Sequence, residues 1–217
     1  MRLTSAILAA CLTGLLLALS GCGGDPAPGP VAMDESELER WEIALVEWRI
    51  EKNEEFMQPE RTPLPGGMLE DFVGLDYYFP ARDFRYRVPL EVAARPDTVM
   101  LARREGEQVP YVVAGSVRFR HDDRDHRLTV YRSTDPDVTT LFLPFFDETN
   151  GGTTYPGGRY LDLDPAADGT VELDFNKAYN PLCAYDPEAW NCTLPPEENR
   201  LPLPVEAGEK LLTSSGH

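Results

Sequence analysis

The spacing of apolar residues predicts one helix near the start of the chain. The apolar stripe is formed by Leu38, Trp41, Leu45 and Trp48, at separations of three, four and three residues. Asp34 and Glu37 precede the stripe in the arrangement of a capping box, and Pro59 cannot continue a helix. We therefore predict an amphipathic helix from about residue 34 to about residue 56, with its tryptophans facing the core rather than a ligand.

From residue 84 onward, apolar and polar residues alternate in short runs rich in Val, Tyr and Thr, which is typical of β-strands. The predicted strands cover residues 86–92, 98–102, 111–120, 127–132, 139–146, 160–164 and 170–175. The connections between them are too short for crossover helices, so neighbouring strands should pair antiparallel. The pattern predicts a mainly β fold, either a curled antiparallel sheet or a small barrel, with the N-terminal helix packed on it.

Two details of this pattern predict local geometry. Residues 141–146 are almost continuously apolar and should form the most buried strand, where Pro144 predicts a bulge or a sheet edge because it lacks a ladder donor. Asp168 and Gly169 stand between the last two alternating runs and predict a hairpin that pairs those strands.

The acidic residues invite a comparison with metal sites. Alternation places one polar face on the last two strands, formed by Tyr160, Asp162, Asp164, Glu172 and Asp174. Four carboxylates on one face could bind calcium, which takes about six to eight oxygen ligands, but a solvated acidic face is the favoured interpretation. His121 and His126 flank an aspartate-rich turn, which we likewise interpret as a solvated hairpin tip. No metal site is predicted.

The N-terminus predicts export and lipid attachment. Arg2 is followed by an apolar stretch at residues 6–19, which is too short to span a membrane and typical of a secretory signal. The sequence Leu-Ser-Gly-Cys that ends at Cys22 resembles the bacterial lipobox. This resemblance implies cleavage before Cys22 and attachment of diacylglycerol to its sulfur.

These features divide the chain into three parts. Residues 1–21 are the predicted lipoprotein signal peptide, residues 22–33 a Gly/Pro-rich tether, and residues 34–217 a single β-rich domain. The expected location is the extracytoplasmic side of the bacterial cell envelope, where the lipid anchor makes the membrane a partner.

Composition excludes some functions. Apolar residues at 42% and charged residues at 26% of 217 residues are ordinary globular values. The formal net charge of −17 repels phosphate backbones, so nucleic-acid binding is not expected. Residues 152–159 have the glycines of a phosphate loop but neither its helix nor its Lys-Ser/Thr ending, and no cofactor is predicted.

Cys183 and Cys192 enclose a segment of eight residues. In an oxidising compartment a disulfide is the first interpretation, while two buried free thiols or a thiolate site for a metal or redox reaction remain open.

The segment from Asp174 to Tyr185, with the sequence DFNKAYNPLCAY, has no regular period and concentrates aromatic, amide and carboxyl side chains. With the preceding TY-x-GGRYL motif and the following C-x-x-PP-x-x-NRL motif, it resembles the C-terminal signature of a bacterial family known only as a domain of unknown function. The resemblance covers most of the exported domain and implies no reaction.

We interpret the Gly-rich turn and this irregular segment as one binding surface for a small polar ligand, such as a sugar or a cell-wall fragment. The predicted ligand-binding residues are Asp147, Thr154, Tyr155, Arg159, Asp174, Asn176, Tyr179, Asn180 and Tyr185. The same groups could instead satisfy one another in a purely structural envelope domain. A second hypothesis is a hydrolase that uses Asp147 and Asp174 as acid and base.

Overall fold

The computed structural model describes residues 26–212. The predicted signal peptide, the predicted lipidation site Cys22 and the terminal His217 lie outside the described residues. Within the described range, no helix combines the length and the apolar character that crossing a bilayer requires.

The predicted helix is present as α1, Glu35–Phe56. The Asp34 carboxylate accepts a hydrogen bond from the Glu37 backbone N–H, and the Glu37 side chain accepts one from the Asp34 backbone N–H, which completes the capping box. Trp41 and Leu45 are buried, as the stripe predicts, but Leu38 and Trp48 are only half-buried. The helix therefore packs through Trp41 and Leu45 and, at its last residue, through Phe56, and it leaves one tryptophan partly open to solvent.

The β-rich middle forms one curled antiparallel sheet, a half-barrel, and all the predicted strands are present. The strands are β1 (Arg85–Val92), β2 (Thr98–Ala102), β3 (Gln108–His121), β4 (Arg124–Ser133), β5 (Leu141–Phe145), β6 (Arg159–Leu163) and β7 (Thr170–Asp174). Their order is β6-β5-β4-β3-β1-β7, and β2 pairs with the first part of β3. The sheet curls around a core that includes Tyr86, Phe119, Phe145 and Phe175.

The predicted hairpin at Asp168 and Gly169 is wrong, because β6 and β7 do not pair with each other. β6 pairs with β5 at one edge of the sheet, and β7 pairs with β1 at the other. Gly169 still adopts the left-handed conformation of a turn, with φ of 78°. The acidic face is consequently divided: Asp162 lies at one edge and Glu172 at the other.

Pro144 is not on an edge strand as predicted, because β5 lies between β6 and β4 and Pro144 pairs with Tyr160 of β6, but the ladder between β4 and β5 ends before it. The two strands pair only through Tyr131 and Arg132 of β4. Beyond this point the buried side chain of Asn199 bridges them: its amide donates to the Pro144 carbonyl at 2.7 Å and to the Thr129 carbonyl at 2.8 Å. A side chain thus replaces the ladder bonds that proline cannot make.

The described part of the predicted tether lies against the sheet. The Val31 backbone N–H donates to the Arg85 carbonyl at 2.8 Å, and the Arg120 backbone N–H donates to the Pro28 carbonyl at 2.8 Å. Ala27 is 5% exposed. Residues 26–33 have no regular secondary structure, but they are a packed part of the domain.

Candidate functional site

The two polar segments that the sequence analysis singled out do meet. The Tyr155 backbone N–H donates to the Asn180 side-chain oxygen at 3.4 Å, and the backbones of Tyr160 and Tyr179 are hydrogen-bonded to each other. Most of the side chains predicted to bind a ligand are nevertheless buried in internal hydrogen-bond networks. The assignment of these residues to ligand binding stays a prediction.

The first network surrounds Arg159, which is fully buried. Its Nη2 lies 2.8 Å from Asp147 Oδ2 and 2.7 Å from the Val205 carbonyl oxygen, and Nη1 donates to the Ala207 carbonyl at 2.5 Å. The Asp147 carboxylate also accepts from the Thr149 backbone N–H at 2.8 Å. The charge pair therefore fastens the C-terminal segment to the sheet.

Thr154 belongs to the same region and is completely buried. Its hydroxyl is 2.7 Å from that of Thr149 and accepts from the Asn150 amide at 2.9 Å. The neighbouring Tyr155 is half-buried. The Gly-rich turn is thus held by its own side chains.

The second network surrounds Asp174 at the end of β7. Its carboxylate accepts from the Trp41 indole N–H at 2.9 Å, from the Asn176 backbone N–H at 3.0 Å and from the Asn176 amide at 2.8 Å. The Asn176 side chain also exchanges two hydrogen bonds with the Ala81 backbone. These contacts join α1 to the sheet and leave Asp174 only 2% exposed.

The third network surrounds Glu209, a residue that the predicted site does not include. Its fully buried carboxylate accepts from the Asn180 backbone N–H and from the Tyr185 hydroxyl, each at 2.8 Å, and lies 2.5 Å from Lys52 Nζ. Burial and the negative charge of Glu209 hold the pKa of Tyr185 well above its usual value. Burial likewise raises the pKa of the nearby Tyr77 phenol.

Lys52 connects this buried carboxylate to an open cavity. Its ammonium lies 4.5 Å from the centre of the Tyr179 ring and 5.4 Å from that of Trp48. Trp48 and Lys52 are four residues apart on α1 and so share one helix face. The cavity has a volume of about 370 Å³. We call it the α1 cleft, lined by Trp48, Glu51, Lys52, Glu55, Asp162 and Tyr179.

Tyr179 and Asp162 form the wall of the α1 cleft opposite the helix. The Tyr179 hydroxyl donates to Asp162 Oδ2 at 3.0 Å, and the Tyr179 backbone covers the outer edge of β6. Burial and the Asp162 charge hold the pKa of Tyr179 well above its usual value. Burial raises the pKa of Asp162. The hydrogen bond from Tyr179 and the positive charge of Lys52 lower it, but by less.

The α1 cleft contains one residue of the predicted set, Tyr179. Trp48 was interpreted as core because it continues the apolar stripe of the helix, and Lys52 sits among exposed glutamates that resemble a solvated helix face. Its spacing of four residues from Trp48 was a signal available in the sequence.

Neither carboxylate of the hydrolase hypothesis lines the α1 cleft: Asp147 and Asp174 are buried in the first two networks. Among the described residues, no group of three His, Cys, Asp or Glu side chains is placed to hold a metal ion. His121 instead lies 2.7 Å from the Tyr86 hydroxyl through Nδ1, and His126 stacks on Phe119.

Cys183 and Cys192 lie at disulfide distance, as predicted, with their sulfur atoms 2.19 Å apart. The bridge closes the loop that carries Trp190 and fixes the end of the irregular segment. Tyr185, two residues after the first cysteine, packs edge-on against Phe56 of α1.

Comparisons with known proteins identify relatives but no activity. A family model described as "Protein of unknown function (DUF1684)" matches residues 70–210. The solution NMR structure of an uncharacterized protein from Haloarcula marismortui is 38% identical, with a TM-score of 0.65 over 85% of this chain and 100% of that chain. None of the curated proteins matches the sequence.

Proposed function

We propose a function from the geometry of this chain, which belongs to the DUF1684 family of proteins of unknown function. The protein acts as a lipid-anchored binding module of the cell envelope, and the α1 cleft holds a small polar ligand with a sugar-like ring. The observation that carries this proposal is the pair of partly exposed aromatic rings, Trp48 and Tyr179, whose centres both lie within 5.4 Å of the Lys52 ammonium.

The size and the lining of the α1 cleft support this function. Its volume of about 370 Å³ lies within the range of roughly 300–1,000 Å³ that small-molecule sites occupy. Aromatic faces with a few fixed polar groups suit a ring that stacks on one side and hydrogen-bonds at its rim. A larger cavity of about 410 Å³ beside Trp41 lacks a second aromatic ring.

The charges of the α1 cleft select the ligand class. Glu51, Glu55 and Asp162 line it, and the positive charge of Lys52 is already balanced by Glu209. The cleft is therefore net negative, and it favours a neutral or positively charged ligand over an anionic one. An amino sugar or a neutral polyol fits this electrostatic character better than a uronic acid.

The polar groups are fixed before any ligand arrives. Glu209 and the two rings hold the ammonium of Lys52, and Asp162 accepts a hydrogen bond from the Tyr179 hydroxyl. Such preorganisation lowers the entropy that binding must remove from the protein. The Cys22 lipid would keep the module near the envelope polymers that carry sugars of this class.

Calorimetric titration of the exported domain with neutral, amino and acidic sugars tests the binding proposal. We expect a neutral sugar or an amino sugar to bind, and acidic sugars to bind at least about tenfold more weakly. The Trp48→Ala substitution should abolish this binding. Trp190→Ala is the matched control, because Trp190 is 42% exposed and lies outside the α1 cleft. Equal binding by both variants, or no binding of any sugar, contradicts the proposal.

The lipid anchor is tested separately in cells. Labelled palmitate should be incorporated into the native protein but not into the Cys22→Ala variant. The variant should also no longer be recovered in the membrane fraction. Incorporation that survives this substitution would contradict the anchor while leaving the α1 cleft proposal intact.

A further inference from the structure

The N-terminal segment reaches the domain at a defined place. Residues 26–33 run along the end of the sheet where β3 turns into β4, and Pro28 is hydrogen-bonded to the Arg120 backbone of β3. The Arg120 guanidinium and, to a smaller extent, the Ala27 backbone lower the pKa of the Asp125 carboxyl in β4. The anchored end of the chain is therefore attached close to the β3–β4 turn.

The distance from the lipid to this turn is short. Only Gly23, Gly24 and Asp25 separate Cys22 from Pro26, and a fully extended chain spans at most about 3.6 Å per residue. Cys22 consequently lies within about 15 Å of the packed segment. In contrast, β3 extends about 40 Å from the turn to Gln108, at about 3.3 Å per residue. The tether therefore holds the β3–β4 end of the domain near the bilayer, whereas the other end would reach the bilayer only in a domain that lies flat on it.

A fully exposed aromatic residue lies at the same end. Phe79 is 93% exposed. It is two residues from Ala81, which lines a cavity of about 580 Å³ together with Gly29, Pro30 and Asp122. The interface of a bilayer accommodates aromatic side chains such as this one. Phe79 thus lies at the end of the domain that the lipid anchor would hold near the bilayer.

We infer that the β3–β4 turn and Phe79 form the surface that contacts the lipid bilayer, with the Phe79 ring inserted at the headgroup level. This inference rests on the proposed lipid anchor. It gives the domain one orientation, with the turn facing the lipid and the connection between β2 and β3 directed away from it.

The charges at this end indicate the kind of contact. Arg120 is paired with Asp125 at 2.6 Å, and Asp122 and Asp123 are exposed. Polybasic surfaces bind membranes through anionic lipids, but this turn has no excess of basic residues. Its contact with the bilayer therefore does not require anionic lipid. Apolar insertion beside a covalent lipid should occur on zwitterionic vesicles and persist at high salt.

The test uses the full lipidated protein on phosphatidylcholine vesicles that carry a nitroxide headgroup quencher. A fluorophore is attached at Arg124→Cys beside the turn or, as a control, at Glu105→Cys near the far end of β3; both positions are exposed. We expect severalfold stronger quenching at residue 124 than at residue 105, with little change at high salt.

A ten-residue Gly/Ser insertion after Gly24 separates tethering from direct contact. Quenching at residue 124 should survive the insertion and fall severalfold when Phe79→Ser is added. Equal quenching at both labels on vesicle-bound protein, or loss of quenching with the insertion alone, overturns the inference and leaves the anchor standing. Failure of the native protein to carry lipid removes the anchor and this inference together, and leaves the α1 cleft proposal intact.

Discussion

The Arg159 guanidinium and the Asp147 carboxylate form an ion pair from which water is excluded, with Nη2 and Oδ2 2.8 Å apart and both side chains 0% exposed. The pair joins the start of β6 to the end of the chain, because Arg159 also donates to carbonyls at Val205 and Ala207. The ion pair thus holds residues 205–207 against the sheet.

Replacing Arg159 should be strongly destabilising. Arg159→Met leaves the Asp147 charge and the backbone carbonyls buried without their donor, and we expect a loss of about 3–5 kcal/mol in the free energy of unfolding. The control is Arg87→Met, whose partner Asp168 is 54% exposed and whose pair should contribute less than about 1 kcal/mol. Urea denaturation of both variants measures the difference, and similar midpoints would refute the role of Arg159.

Asn199 should matter for the junction of β4 and β5. Asn199→Ala leaves the Thr129 N–H and the carbonyls of Thr129 and Pro144 without their partner, at a cost of about 2–4 kcal/mol from more than one unsatisfied buried group. Hydrogen exchange at the Thr129 amide should become much faster. Asn191→Ala is the control, because the Asn191 hydrogen bonds are exposed, and equal effects on stability would count against this role.

Gly208 tests close packing separately from backbone conformation. Gly208 has φ of 79°, and an added Cβ would lie 2.5 Å from the Ala178 carbonyl oxygen. Gly106 has a similar φ of 88° but has nothing within 4 Å of that position. Thermal unfolding should show Gly208→Ala to be about 1–3 kcal/mol more destabilising than Gly106→Ala. An equal loss would mean that conformation alone determines the effect.

Buried tyrosines should limit stability at alkaline pH. The pKa is raised, chiefly by burial, at Tyr77, Tyr86, Tyr131, Tyr160, Tyr179 and Tyr185. Because the unfolded chain releases these protons near pH 10, the free energy of unfolding should fall as pH rises above about 10. Absorbance at 295 nm should show these phenols ionising together with unfolding. Their ionisation in a folded protein would contradict the burial.

Local pattern was enough to predict α1 and the strands, because alternation and capping depend on residues near one another in sequence. It failed at the pairing of β6 with β7, where the Asp168-Gly169 turn signal was real but β6 pairs with the preceding strand β5 and β7 pairs with the distant strand β1. The choice between neighbouring and distant partners depends on how the whole sheet curls, which no short segment encodes.

The candidate site was harder to predict for the same reason. Asp174 has the residue type of a ligand contact, but its partner Trp41 lies far away in sequence, so the bond between them could not be predicted. Lys52 was overlooked because its significance depends on Glu209 and Tyr179 from the other end of the chain. The polar composition of the sequence identified two segments that meet in the structure. Only the tertiary contacts show which of their side chains point into the core and which point to solvent.

The interior of this domain is completed by residues 205–209. The backbone acceptors of Arg159 are at Val205 and Ala207, and Glu209 supplies the carboxylate for Lys52. During synthesis, a ribosome-bound chain that has not yet released these residues lacks the carboxylate that pairs with Lys52 and two of the carbonyls that accept from Arg159. Residues 205–209 must therefore leave the ribosome before the native state can form, and a product truncated after Pro204 should be degraded rather than accumulate.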